Sequence, residues 1–198
     1  MKRILELRTR HALAVTVLAT ATTLLVPAAR AQESAAGKGS AAFEQRFLEM
    51  MTHHHRGGVE MANLCQSKAQ HQELKPFCSQ LAGSQQKEAD QMQGWLTAWY
   101  QGKGGMPKAE MDKMMAQHKQ HMTKLNAVTG EQFDHTFLQL MTMHHQQAVP
   151  EAKTCSARAS HQELKALCMK MSGEQQKEIG QMQAWMKQWG NHAGHKSK

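Results

Sequence analysis

The stretch FEQRFLEMMTHHHRGGVEMANLCQSKAQHQELKPFCSQLAGSQQKEADQMQGWLTAW, residues 43–99, is matched by FDHTFLQLMTMHHQQAVPEAKTCSARASHQELKALCMKMSGEQQKEIGQMQAWMKQW at 133–189. The offset is a constant 90 residues with no insertion or deletion, and 27 of the 57 paired positions are identical. The identical pairs include Met51/Met141, His54/His144, His55/His145, Cys65/Cys155, His71/His161, Cys78/Cys168, Glu88/Glu178 and Met92/Met182. A match of that length marks an internal duplication, so one unit is read and then applied twice.

Within the unit, Phe43, Phe47, Met51, His54, Gly58, Met61 and Cys65 recur every three or four residues, which is one face of an α-helix. A second helix starts near His71, with Leu74, Cys78, Leu81, Gln85, Glu88, Met92, Trp95 and Trp99 as its stripe. Pro76 falls in its first turn, where proline costs least. The short connection makes the two helices antiparallel neighbours. Residues 101–107 (QGKGGMP) interrupt the pattern, and a shorter helix is predicted over 107–126 with Met111, Met114, Met115, His118, His121, Met122 and Leu125 on its stripe. The second unit repeats the hairpin, with Pro150 predicting a kink or short break in its first helix. The expected fold is all-α: a four-helix bundle of two duplicated antiparallel hairpins (43–99 and 133–189) joined by a short connecting helix.

The segments outside the repeat read differently. Lys2, Arg3, Arg8 and Arg10 precede an apolar run over 12–26, and Ala29-Arg30-Ala31 offers a small-x-small cleavage site, so residues 1–31 read as a secretory signal peptide. The run is shorter than the roughly 20 residues of a spanning helix. No membrane span is expected in the mature chain, and the protein is expected to be periplasmic or secreted after cleavage near Ala31. Residues 32–42 read as a flexible lead-in and 190–198 as a polar tail in which His192 and His195 are solvated. Removing the leader takes away five basic residues and one acidic one, leaving 19 and 15. That mild positive excess gives no nucleic-acid footprint.

Four cysteines in an exported chain, two per unit and 13 apart, favour local disulfides Cys65–Cys78 and Cys155–Cys168. Zinc is the competing reading, but its usual pairs of cysteines two to four residues apart are missing. The disulfides also set the hairpin register. Counting back from Cys65–Cys78 brings Met61 to Leu81, Gly58 to Gln85, His54 to Glu88, Met51 to Met92 and Phe47 to Trp95. The second unit likewise brings His144 to Glu178, Met141 to Met182 and Phe137 to Trp185.

Polar residues at one depth of both stripes must be paired or must bind something. One reading is a structural His–Glu hydrogen bond with ordinary methionine core. The other is a metal site with His54 and Met51 as ligands, His55, Met50 and Met61 nearby, and Glu88 ligating or orienting an imidazole. With 15 methionines and 12 histidines beyond the leader, thioether plus imidazole points to copper, Cu(I) preferred and Cu(II) accepted. The Glu-x-x-His pairs of a di-iron bundle and the Cys-x-x-Cys-His of a c-type haem are both absent. His71 and His161 are expected to cap or turn the helix starts. His53, replaced by Met143 in the second unit, reads either as a soft-metal ligand or as an exposed residue, and His118 and His121, with Met111, Met114, Met115 and Met122, read either as a weaker metal-collecting surface or as the face that covers the bundle.

The segments FLEMMTHHH and FLQLMTMHH, each followed by QQKExxQMQxW, resemble the DUF305 family of bacterial exported proteins, among them the CopM-type periplasmic copper-binding proteins. That resemblance implies a ferritin-like helical fold over about 43–189. It also implies metal contacts at Met51, His54, His55 and Met61 and at Met141, His144 and His145. With the register partners, the expected metal set is Met50, Met51, His54, His55, Met61, Glu88, Met92, Met141, His144, His145, Glu178 and Met182. The expected role is copper storage, buffering or resistance, with copper and an unidentified periplasmic copper protein as partners. A structural helical protein and a copper redox enzyme are the alternatives, and no nucleophile with a triad-like arrangement favours the latter. Where Gly58 and Met61 follow His54, the second unit has Ala148, Pro150 and Glu151, so the units are expected to bind unequally, with Cu(I) filling the Met51/His54/Met61 region first. If the bundle brings the two His-His segments together, one shared centre replaces both.

Overall fold

A computed structural model describes residues 35–193, and these form five helices and no strand. The helices are α1 (Ala35–Lys68), α2 (Leu74–Tyr100), α3 (Lys108–Asn126), α4 (Gly130–Arg158) and α5 (Gln162–Ala193). The expected signal peptide lies outside the described residues. Most of the segment expected as a lead-in is helical: α1 begins at Ala35, where Ala35, Ala36, Ala41 and Ala42 offset the helix-weakening Gly37 and Gly39. α4 runs unbroken through Pro150 instead of breaking there. α2 ends where Gln101 (φ 56°) and Gly102 (φ 72°) turn left-handed, and α3 starts just after Pro107, as its fixed φ favours.

Both hairpins close on the expected disulfides, Cys65–Cys78 and Cys155–Cys168, each with a Cα–Cα distance of 6.0 Å. α1 packs on α2, α4 on α5, and α1 on α4, so the two inner helices join the hairpins. Cores form at the two ends of that contact. One gathers Met61, Cys65, Leu74, Cys78 and Leu81 of the first unit with Phe133, Phe137, Leu138, Met141 and Met182 of the second. The other gathers Phe47, Leu48, Met51, Met92 and Leu96 with Ala148, Ala152, Cys155, Leu164, Cys168 and Met171. The disulfide end of each hairpin therefore packs against the aromatic end of the other, and α1 and α4 run in opposite directions.

This interlocking is two-fold at the hairpin turns, where the cross-hairpin contacts recur with both partners shifted by 90 residues. Asp134 accepts hydrogen bonds from the backbone N–H groups of Gln70 (2.9 Å) and His71 (2.8 Å) and from His71 Nδ1 (2.7 Å). Glu44 does the same for the N–H groups of Ser160 and His161 (3.0 Å) and for His161 Nδ1 (2.6 Å). The imidazole of His71 stacks on Trp189 with centroids 3.8 Å apart, and that of His161 stacks on Trp99 at the same distance. Lys68 lies over Phe133 and Arg158 over Phe43. The turn role expected of His71 and His161 is thus one half of a clasp whose carboxylate comes from the other unit. Tyr100 adds a hydrogen bond to Glu44 that has no second-unit counterpart, since position 190 is glycine.

α3 has no duplicate. It crosses one side of the α1–α4 pair, contacting both, and buries His121 and Leu125.

Candidate metal centre

Where α1 and α4 cross, His54 and His144 stack face to face with centroids 3.7 Å apart and planes 22° from parallel. These two residues are related by the 90-residue offset, so the duplication places its own histidines against each other. His144 Nε2 lies 2.9 Å from the carbonyl oxygen of His54. Because a carbonyl only accepts, the proton resides on Nε2, and Nδ1 of His144 keeps a bare lone pair. Neither nitrogen of His54 has a protein hydrogen-bond partner. Burial lowers both imidazole pKa values, and the neighbouring histidines add to it: His54 falls to about 3, and His144 lies well below the ordinary histidine range. Neutral imidazole is the form that binds metal.

The neighbouring pair faces outward from this crossing. His55 Nε2 is 3.0 Å from Glu88, and His145 Nε2 is 2.8 Å from Glu178. Glu88 and Glu178 therefore meet His55 and His145, not His54 and His144 as the stripe assignment expected. The register is sound: 55 and 88 add to the same 143 as the disulfide pair 65 and 78. The expected pairing was one residue off because His54 and His55 sit about 100° apart on the helix, so one faces α4 and the other α2. Each carboxylate fixes the proton on Nε2 and leaves a buried Nδ1 without a partner. Glu88 also accepts from Lys170 of α5 at 3.0 Å. Burial alone would raise the Glu88 pKa, but its bonds with His55 and Lys170 outweigh that and hold it below the usual value.

Among the described residues, the buried side-chain atoms without a protein partner all belong to four residue pairs related by the duplication: Thr52/Thr142, His54/His144, His55/His145 and Gln85/Gln175. A buried polar atom left unpaired costs about 1–3 kcal/mol, so this layer at mid-height of the molecule is shaped for something other than packing. Gly58 is part of it. A Cβ there would lie 2.0 Å from Gln85 Oε1 and 2.8 Å from His144 Cε1, so only glycine lets the amide and the imidazole both reach α1.

The methionines lie above and below this layer. Met50, Met51 and Met92 sit in one apolar core, and Met61, Met141 and Met182 in the other. Met51, Met61, Met92, Met141 and Met182 are fully buried. Met51 and Met61 thus fall in different cores, and Met61 joins the methionines of the second unit. Their surroundings are those of core side chains.

A pocket of about 230 Å3 opens between α1, α3 and α4 and reaches the stacked pair. His54 and His144 line it together with His53 from α1 and Met114, Met115, His118 and His121 from α3. His118 and His121, expected as part of a weaker surface, therefore share one cavity with the pair at its centre, and His53 joins them. Among the described residues, no three His, Cys, Asp or Glu side chains form a ready-made ligand cage. A soft ion here would draw on imidazole and thioether together. Sequence reasoning missed Glu44/Asp134, Thr52/Thr142, Gln175 and Lys170. The first two pairs carried a signal, since all four residues are polar and stand at equivalent positions of apolar-striped helices.

The family described as "Domain of unknown function (DUF305)" matches residues 44–194. Among solved structures, CopM in the Cu(II)-bound form is 29% identical, covers 74% of this chain and 98% of its own, and superposes with a TM-score of 0.62. CopM in the Cu(I)-bound form is likewise 29% identical, covering 74% and 96%, with the same TM-score of 0.62. A DUF305 protein from Streptomyces coelicolor, described as secreted, is 28% identical over 76% of this chain and 93% of its own, again with a TM-score of 0.62. No curated protein matches.

Proposed function

The chain belongs to the DUF305 family, and from that premise we propose that it is an exported copper-binding protein that holds copper as cargo, in storage, buffering or resistance. The stacked, uncharged His54/His144 pair at the floor of a pocket lined by further imidazoles and thioethers carries this reading. Such a donor set fits copper better than zinc or calcium, which rarely use methionine. Copper-bound and silver-bound structures of CopM support the same direction. Export is supported by the leader-like first 31 residues and by the secreted relative. Among the described residues no helix is long and apolar enough to cross a membrane.

The reading makes one centre out of two units, so it replaces the expectation of unequal local sites. His54 would supply either nitrogen and His144 its Nδ1. His55 and His145, turned towards their carboxylates, would hold the surrounding helices. The decisive measurement is Cu(I) affinity by competition with a colorimetric chelator. His54→Ala and His144→Ala should each weaken the tighter event by at least about ten-fold, which is ~1.4 kcal/mol, and by similar factors. Loss in one variant alone would restore separate sites, and loss in neither would end the assignment.

A second substitution tests the methionine layer. Met51→Leu keeps the apolar volume and should cost under about 1.5 kcal/mol of stability. Its core surroundings lead us to expect Cu(I) affinity within about two-fold of the parent. A drop beyond about ten-fold would instead make Met51 a ligand.

A further inference from the structure

α3 differs from the other helices in how it is held. Its first three turns bury nothing fully: between Lys108 and Gln120 no residue is fully buried, and the attachments include two polar pairs. Arg46 pairs with Glu110, and His118 Nε2 lies 2.7 Å from Glu60 on an exposed surface. The exposed His118–Glu60 pair contributes about 0–1 kcal/mol, and the two-point Arg46–Glu110 contact is partly buried. The apolar anchoring comes at the far end, through Leu125 with Met122 beside it.

The face that this loosely held stretch presents to α1 carries soft donors. Met114, His118 and His121 stand four and three residues apart, on one side of the helix. Gly57 lets His118 come close, since a Cβ there would meet its Nδ1 at 3.0 Å. His121 is 7% exposed, makes no hydrogen bond among the described residues and lines the pocket. His53, opposite on α1, is also free of hydrogen bonds, and its second-unit counterpart is Met143, so this donor belongs to the α3 side alone. An imidazole that lines the pocket without a protein hydrogen bond, a stretch of α3 in which no residue is fully buried and the convergence of three elements on one cavity are separate observations with one explanation.

We propose that α3 brings its own soft-metal donors to the bundle: His121 and Met114, facing His53, form an outer site for Cu(I) or Ag(I) at the mouth of the pocket, and the bound ion pins α3 to α1. Met115 lies at the exposed edge of the pocket, and Glu60 orients His118 as a carboxylate orients a metal-facing imidazole. The site deepens the copper reading of the pocket but does not depend on the stacked pair as a ligand, so the two fail separately.

Ag(I) in chloride-free buffer is the probe, because it is soft and does not change oxidation state under these conditions. Two quantities are read on the full mature chain: Ag(I) equivalents bound at equilibrium dialysis, and the rate of limited trypsin cleavage after Lys103, Lys108 and Lys113. With free Ag(I) at about ten times the dissociation constant, cleavage should slow about ten-fold, since binding subtracts from the open population. The double change Met114→Leu/His121→Gln should remove one equivalent and the protection together, with the metal-free far-UV spectrum unchanged. Met114→Leu alone, a volume-keeping change, should weaken the protection in the same direction and guards against a folding defect in the double variant. In His54→Ala the protection of α3 should persist even where the inner event is lost. Full stoichiometry and full protection in the α3 variants would overturn the proposal. So would protection that disappears in His54→Ala but survives in Met114→Leu/His121→Gln, because α3 would then be a passive cover over the inner pair.

Discussion

Asp134→Asn should destabilise the metal-free protein by about 3 kcal/mol, and Glu44→Gln by a similar amount. Each carboxylate is almost wholly buried and works as an acceptor for several donors of the opposite hairpin's turn. For Asp134 these are two backbone N–H groups and the His71 ring, and for Glu44 two backbone N–H groups, the His161 ring and the Tyr100 hydroxyl. An amide of the same shape keeps one acceptor oxygen but points an NH2 at a donor, so at least one buried N–H is stranded. Breaking a buried charged contact by changing one partner costs roughly 3–5 kcal/mol, and partial access of water to a turn trims the figure. The two clasps lie in different cores at opposite ends of α1, so their losses should add within about 0.5 kcal/mol. Against a total stability of about 5–15 kcal/mol, the double variant would be close to unfolding. Urea denaturation of the disulfide-intact chain gives the measurement. A loss below about 1 kcal/mol from either single change would mean that the turns are held by Trp99 and Trp189 stacking and by the disulfides, with the carboxylates incidental.

The clasp also shows what the sequence could and could not reveal. Helix positions, the disulfide pairs and the hairpin register followed from the apolar period and the cysteine spacing, because those are local consequences of one chain segment. The way the hairpins interlock did not follow. Nothing in the period of α1 says that its far face will meet α4, and the period places the stripe that contains His54 against α2, whereas His54 faces the other hairpin. Glu44 and Asp134 escaped notice because a count of identities passes over an acidic pair that differs by one methylene. The duplication itself held the missing information: residues on a two-fold axis meet their own equivalents, and His54/His144 is such a pair. The grouping of His53, His118 and His121 with that pair needed the placement of α3, which has no counterpart to be read from.

Stability of the metal-free protein should fall steeply as pH drops below about 6.5. In the unfolded chain His54 and His144 take up protons near the ordinary histidine value of 6.5, whereas in the folded chain burial holds His54 down to about 3 and His144 well below 6.5. A folded pKa lower than the unfolded one means that the unfolded state binds more protons across that window. Stability is therefore complete above pH 6.5 and is lost progressively as pH falls towards the folded values. Each such group contributes ~1.36 kcal/mol per pH unit once the pH is about a unit below 6.5, and the pair together roughly twice that. Glu44 and Glu88, both held below 4.5 by their hydrogen-bond partners against the opposing effect of burial, add a further loss of the same sign only below pH 4.5. Urea unfolding between pH 7.5 and 5 isolates the histidine part. The control is His54→Leu/His144→Leu, which removes both proton-binding groups and fills the crossing with apolar atoms, so its stability should be nearly flat over that range where the parent loses about 4 kcal/mol. Equal slopes for parent and variant would show that the stacked pair is hydrated and titrates normally. The same asymmetry bears on copper. Imidazoles already neutral in the folded state release no proton on binding, so Cu(I) affinity at His54/His144 should stay flat between pH 6.5 and 5. An exposed two-histidine site would have to lose both protons and would weaken up to about a hundred-fold for each pH unit below 6.5.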